Sequence, residues 1–138
     1  MSLRFHVDSL AARRFAQAVG DLNPAYFDLE AARAAGHPGL VAPPTFVTSQ
    51  NSWTDGPPES ELFYDGVNPD RFPGAVSPEA TLMGGSQEVD LRRAIYQGED
   101  LDIEVAAVDR YVRETSRGQL TFFVVEATFR DAEGEVVV

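Results

Sequence analysis

The alternation of apolar and polar positions changes period near residue 84, from helical spacing before it to strand spacing after it. Ala11, Phe15 and Ala18 recur at i, i+4 and i+7 while Arg13 and Gln17 fall off that stripe, which predicts a helix running to about Val19 with one buried face. Asp8 or Ser9 is placed to cap it by accepting a first-turn N–H, Gly20 ends it, and residues 4–7 make a short strand before it. Asp28 caps a second, Ala-rich helix through Ala35 that stops at Gly36, whose missing Cβ allows the left-handed conformation. Pro38 and Gly39 then enforce a loop. Val41 and Ala42 lead into Pro43 and Pro44, a pair suited to a helix start because proline has no N–H where none would be bonded. A third helix through about Trp53 is predicted, made unusually polar by Thr48, Ser49, Gln50, Asn51 and Ser52.

Residues 54–79 hold five prolines and three glycines, too many for helix or central strand. A long loop is predicted, with Phe63, Tyr64 and Phe72 as apolar anchors, and excursions of this length in compact domains are often binding elements. Beyond it Val89 and Leu91 alternate with Glu88, Asp90 and Arg92, which predicts a half-buried strand interrupted by Arg93 before Ile95. Leu101, Ile103 and Val105 alternate likewise, then the phase slips at Ala106 and Ala107, so a bulge is expected with Val108 taking the inner face. Residues 120–129 are apolar on both phases, which suits a central strand covered on both sides, joined to its predecessor by a hairpin at 116–118. A turn at 131–134 leads into a further strand, and the sequence stops at Val138 only a few residues into it, so the native chain is expected to run longer.

This order predicts an α+β domain in which one antiparallel sheet wraps a central helix, the arrangement of a hotdog fold, as a single domain over residues 1–138. An open sheet edge is a liability that pairing removes, so a dimer is expected.

Composition narrows the chemistry. The 138 residues suffice for one core and not two, and 43% hydrophobic with 24% charged residues is ordinary globular usage. Without cysteine there is no disulfide, thiolate nucleophile or cysteine-held metal, and His6 and His37 alone cannot build a histidine-rich site, so no metal is expected. A formal charge of −11 repels a phosphate backbone, which argues against nucleic acid. All 11 basic residues are arginine, which excludes a lysine Schiff base and a Walker-type phosphate loop. No apolar run reaches about 18 residues and no signal peptide is evident, so a cytoplasmic protein with no membrane partner is expected.

Phe15, Ala16, Val19, Gly20, Asp21, Asn23, Pro24 and Tyr26, then Asp28, Ala31 and Ala32, then Val41, Ala42, Pro43, Pro44, Thr45 and Phe46 resemble the N-terminal type of MaoC-like dehydratase domain. A looser likeness continues through the strands to Gly134, Glu135 and Val136. The resemblance implies a hotdog fold and an acyl-coenzyme A or carrier-protein thioester bound at a dimer interface. It also implies chemistry of the enoyl-thioester hydratase or 3-hydroxyacyl-thioester dehydratase kind. No cofactor is implied beyond the coenzyme A or carrier arm of the substrate itself. Active members of the family carry Asp and His five positions apart, one acting as base and one as acid. Here Asp21 matches the Asp, but the position five later is Tyr26. A phenol ionises near ~10 against ~6.5 for imidazole, so it donates at neutral pH and is a poor base. A glycine amide that polarises the thioester carbonyl in active members aligns with Pro44, which has no N–H.

The implied site is therefore Asp21, Asn23 and Tyr26 for chemistry, with Val41, Ala42, Thr45 and Phe46 along the acyl chain and Arg92 and Arg93 for the phosphates. Plainer readings stand beside it. Residues 20–24 also make a good turn in which Asp21 and Asn23 bond their own backbone, Tyr26 and Phe27 also read as packing, and His37 reads as a solvated loop residue. Arg92 and Arg93 also read as a charged strand face, and His6 as structural. Three functions fit this pattern. One is a hydratase or dehydratase component whose catalytic His comes from a second hotdog subunit. The others are a hotdog thioesterase using Asp21 as a base if burial raises its pKa, with Asn23 and Tyr26, and a non-catalytic assembly module. Homodimer and heterodimer both remain open.

Overall fold

The structure is a computed structural model and describes residues 2–49, 56–64, 66, 68 and 83–138. Strand β1 (Ser2–His6) leads into helix α1 (Ser9–Val19), and helix α2 (Leu29–Ala34) follows a single 3-10 turn at Pro24–Tyr26. Two more 3-10 turns stand at Val47–Ser49 and Glu59–Glu61, and the chain closes with strands β2 (Asp100–Thr115) and β3 (Gly118–Arg130). The sheet is antiparallel in the order β1-β2-β3, with Phe5 opposite Leu101 and Ile103 opposite Phe129.

The expected caps are in place for the expected reason. Asp8 accepts the Ala11 N–H at 2.6 Å and Asp28 accepts the Ala31 N–H at 2.9 Å, each satisfying a first-turn donor. Gly20 closes α1 at φ 75°, a conformation that a Cβ would resist. The buried stripe of α1 is rotated one position from expectation. Ala12 and Ala16 are buried with Phe15 half-buried, while Ala11 and Ala18 are exposed.

That core gathers Val7, Ala12, Ala42, Phe46, Ile95, Leu101, Ile103, Phe129 and Val137. A second cluster, Ala16, Ala25, Tyr26, Ala32 and Val41, packs α1, α2 and the 3-10 turn together. Arg93 staples the edge, its guanidinium reaching Glu99 Oε2 at 3.0 Å and Asp131 Oδ2 at 3.1 Å.

Several expectations are corrected. The predicted third helix is, among the described residues, a turn and the short helix Val47–Ser49; residues 50–53 lie outside the described residues. Of the expected central helix the described residues hold this short 3-10 segment alone. Most of the loop over 54–79, with Phe72, also lies outside them, and of its described anchors Phe63 is half-buried while Tyr64 is 70% exposed. The strand expected around Val89 and Leu91 is irregular and exposed, held by a backbone bond from Arg92 N–H to Val137 O at 2.9 Å and forming no ladder among the described residues.

The hairpin stands at residues 116–117, and the register of β2 slips between Ala107 and Asp109 as the phase change foretold. Val108, however, is the extra residue and is 52% exposed rather than inward-facing. Among the described residues β3 is an edge strand rather than a central one: the 136–138 segment bonds to its end, through Val137 N–H to Phe129 O at 2.8 Å and a bridge from Val136 to Arg130. Its apolar residues on both phases are therefore left partly uncovered, Leu120 and Val124 among them.

Candidate functional site

The site forms where α1 ends. Gly20 reverses the chain, Asp21 N–H turns back to Ala16 O at 2.9 Å, and residues 21–23 swing clear of the helix axis. Asp21 Oδ1 accepts weakly from Asn23 N–H at 3.4 Å, and Asn23 Oδ1 accepts from Ala25 N–H at 3.0 Å, capping the 3-10 turn that Pro24 begins. One tight turn after a left-handed residue brings Tyr26 back beneath Asp21. Tyr26 therefore donates its hydroxyl to Asp21 Oδ2 at 3.0 Å. The turn reading of Asp21 and Asn23 is realised, and the same turn sets the Asp21 carboxylate against the Tyr26 hydroxyl.

The two partners differ in surroundings. Tyr26 is 5% exposed, its ring against Phe27 at 6.3 Å, whereas Asp21 and Asn23 face solvent. Burial, and after it the hydrogen bond to Asp21 and that carboxylate's charge, push the Tyr26 phenol up to about 12; Asn23 works the other way and does not prevail. A phenol so held stays protonated and donates. It cannot take a proton from water near neutral pH, and Asp21 is left as the acceptor that a ligand can reach. The burial that the thioesterase reading asked of Asp21 is absent.

The predicted acyl-chain residues separate. Val41, Ala42 and Phe46 are buried, Phe46 at 3% exposure between Phe5 and Phe15 at 6.1 and 5.8 Å, so core packing claims these side chains. Phe46 meets Phe5 of β1 on one side and Phe15 of α1 on the other, and Val41 packs with Ala16, Ala25, Tyr26 and Ala32. Pro43 is buried with them, and Pro44 and Thr45 are exposed.

The arginine pair separates too. Arg92 is exposed and meets Asp90 at 2.6 Å. Arg93 is half-buried and spends its fork inside the chain, on Ala94 O at 2.7 Å, on both oxygens of Glu99 and on Asp131. A phosphate would have to displace two carboxylates to use Arg93, which removes it from the expected pair. His37 is half-buried rather than solvated, its Nδ1 3.5 Å from the Tyr96 hydroxyl, and His6 pairs with Asp100 at 2.8 Å.

Sequence reasoning missed Gln97, whose side chain bonds the main chain of both Tyr26 and Val41. Its signal was faint: a polar residue before Gly98 reads as the tip of an exposed turn. Among the described residues no three His, Asp or Glu side chains cluster as a metal site, and no helix is long and apolar enough to cross a membrane.

Comparison with known proteins identifies the family and the fold. Residues 2–138 match the family described as FAS1-like, dehydratase domain region. A UPF0336 protein of Parafrankia is 31% identical over 133 residues, covering 96% of this chain and 78% of that protein. A probable enoyl-CoA hydratase alpha subunit of Thermomonospora curvata is 29% identical over 91% of this chain, but the match spans only 40% of that protein. Among solved structures, the HadBC (3R-hydroxyacyl-ACP dehydratase) complex of Mycobacterium tuberculosis superposes with TM-score 0.70 at 26% identity, covering 99% of this chain and 88% of that one. A MaoC-like dehydratase of Rhodospirillum rubrum shares the fold at TM-score 0.63 and 20% identity, over 99% of this chain and 81% of that one. The α+β hotdog architecture is thereby established.

Proposed function

This chain belongs to the FAS1-like, dehydratase domain region family, and from that membership we propose that it is one hotdog half of an enzyme that adds water to an enoyl thioester or removes it from a 3-hydroxyacyl thioester. A second hotdog chain supplies the acid–base pair. The observation that carries this reading is the contact between Tyr26 and Asp21. Hydration needs one group to take a proton from water as its oxygen adds to Cβ and another to protonate Cα. With a phenol pushed up to about 12 at the position of the second group, this chain holds one acceptor and one fixed donor.

Pro44 supports the same division of labour, since it brings no N–H to the thioester carbonyl. The names of two similar proteins, one an alpha subunit and one a two-chain complex, fit a partner of the same fold. In this reading the substrate is an acyl-coenzyme A or carrier-protein thioester and no other cofactor takes part. Asp21, Asn23 and Thr45 offer the solvent-facing polar groups, and Arg92 is the arginine left to meet phosphates.

Restoring the missing groups tests the assignment. Tyr26→His returns an imidazole beside Asp21 and Pro44→Gly returns an amide donor. General acid–base assistance is worth roughly 10²–10⁴ in rate and one oxyanion donor about 10²–10³, so the double variant should hydrate crotonyl-coenzyme A clearly above the parent, and neither single variant should. If the parent hydrates well alone, and Tyr26→Phe and Asp21→Asn leave that rate intact, the site lies elsewhere.

A further inference from the structure

Gln97 occupies the second position of a turn over residues 96–99, where Glu99 N–H bonds Tyr96 O at 3.3 Å and Gly98 sits at φ 90°. Its own N–H donates to Leu40 O at 2.9 Å, and Ala42 N–H donates to Ile95 O at 2.8 Å, so residues 40–42 and 95–97 run antiparallel about a bridge from Val41 to Tyr96. The side chain reaches further. Nε2 donates to Tyr26 O at 2.7 Å and to Val41 O at 2.9 Å, which spends both of its hydrogens. Val41 N–H in turn donates to Ala25 O at 3.1 Å. One amide thus ties three segments that are remote in sequence: the turn carrying Tyr26, the run that opens toward Thr45, and the turn before β2.

The orientation of that amide is fixed by its surroundings. Turned over, its oxygen would face two carbonyl oxygens and both bonds would become repulsions. As placed, Oε1 is buried and finds no donor among the described residues, a cost the two donor bonds offset. The buried residues it reaches, Tyr26 and Val41, are otherwise packed in an apolar cluster with Ala16, Ala25 and Ala32.

We propose that Gln97 is a positioning residue for the Asp21–Tyr26 pair, its amide setting the height of the Tyr26 main chain and so where the hydroxyl meets the carboxylate. Its relevance to turnover rests on the function proposed above; its mechanical role does not. Gln97 acts through Tyr26 and touches no reacting atom in this scheme.

The test reads the phenol directly. Ionisation of Tyr26 is followed by absorbance near 295 nm, as the difference between each protein and its Tyr26→Phe counterpart, with the fold checked by circular dichroism at each pH. In the parent, Tyr26 should remain largely protonated at pH ~11, a unit below the value set by its burial and by Asp21. Gln97→Met keeps the length and removes both donors. Gln97→Asn, a milder variant that serves if the first fails to fold, keeps the amide and withdraws it by one methylene. Either should lower the Tyr26 midpoint by a unit or more, and in an Asp21→Asn background the same changes should add little. A loss of thermal stability with the Tyr26 titration unmoved would make Gln97 merely structural and overturn the proposal. Hydration by the two-chain enzyme is measured separately. A shifted titration with unchanged turnover would leave Gln97 a positioning residue and count against the functional reading of the pair.

Discussion

Tyr26 stands five positions after Asp21, and the local backbone closes that interval into a 3.0 Å hydrogen bond. The consequence can be read in alkaline stability. Tyr26 has a folded pKa raised to about 12 against about 10 in an unfolded chain, so its contribution to stability is fully present below pH ~10 and is lost as pH rises through 10 toward 12. Tyr26→Phe should remove that part of the alkaline decline, as seen in denaturant midpoints at pH 9 and 11, and a parent-like decline in the variant would show that Tyr26 is not the titrating group. The sequence pointed to this pair only through the resemblance to MaoC-like domains, in which an Asp and a His stand at this spacing. It could not show that Tyr26 is buried while Asp21 stays wet, since that depends on Ala16, Ala32 and Val41 arriving from other segments.

At the scale of elements, the segment from Arg93 to Glu99 holds the site turn on one side and the end of β3 on the other. Burial by itself would raise the Asp131 carboxyl. The Arg93 hydrogen bond, the N–H groups of Glu135 and Glu133 and the Arg93 charge more than offset it and hold the group below the ordinary carboxylate range. A depressed carboxylate stabilises the fold above its unfolded pKa near ~3.9 and loses that contribution as pH falls through the lower folded value. Arg93→Met should therefore lower the melting temperature at pH 7, and the gap to the parent should narrow below pH ~4. An equal gap at pH 7 and pH 3 would assign the loss to packing instead. Caps, the hairpin and the β2 bulge were legible because each depends on neighbours in sequence. The misplaced strand at Val89 and Leu91 and the miscast β3 have a different origin: alternation reports which residues prefer burial, and only the tertiary arrangement decides whether anything comes to cover them. Arg93 was misjudged likewise, because its acceptor Asp131 lies 38 positions away.

At the scale of the molecule, the outer half of the β2–β3 hairpin stands clear of the core. Tyr111 and Phe122 stack at 4.9 Å with Arg113 over both rings at 5.4 Å, and Arg110 lies over Phe123 at 5.4 Å on the opposite face. Val112 beside them is 50% exposed, and over residues 118–128 the outer edge of β3 has no strand partner among the described residues. Such a surface is what a second hotdog chain would cover. Val112→Asp should leave the stability of the isolated chain within about 0.5 kcal/mol, as exposed substitutions usually do, and weaken association tenfold or more by sedimentation. Unchanged association would place the contact elsewhere. The account as a whole stands on the division of acid–base labour between two chains. The most direct measurement takes this chain alone, a MaoC-like subunit bearing the Asp–His pair alone, and their mixture, each with crotonyl-coenzyme A, following enoyl absorbance and free thiol together. The account predicts no change in either signal with this chain alone and loss of enoyl absorbance without thiol release in the mixture, with a rate that saturates at one-to-one stoichiometry. Enoyl loss or thiol release by this chain alone, abolished by Asp21→Asn, would contradict it.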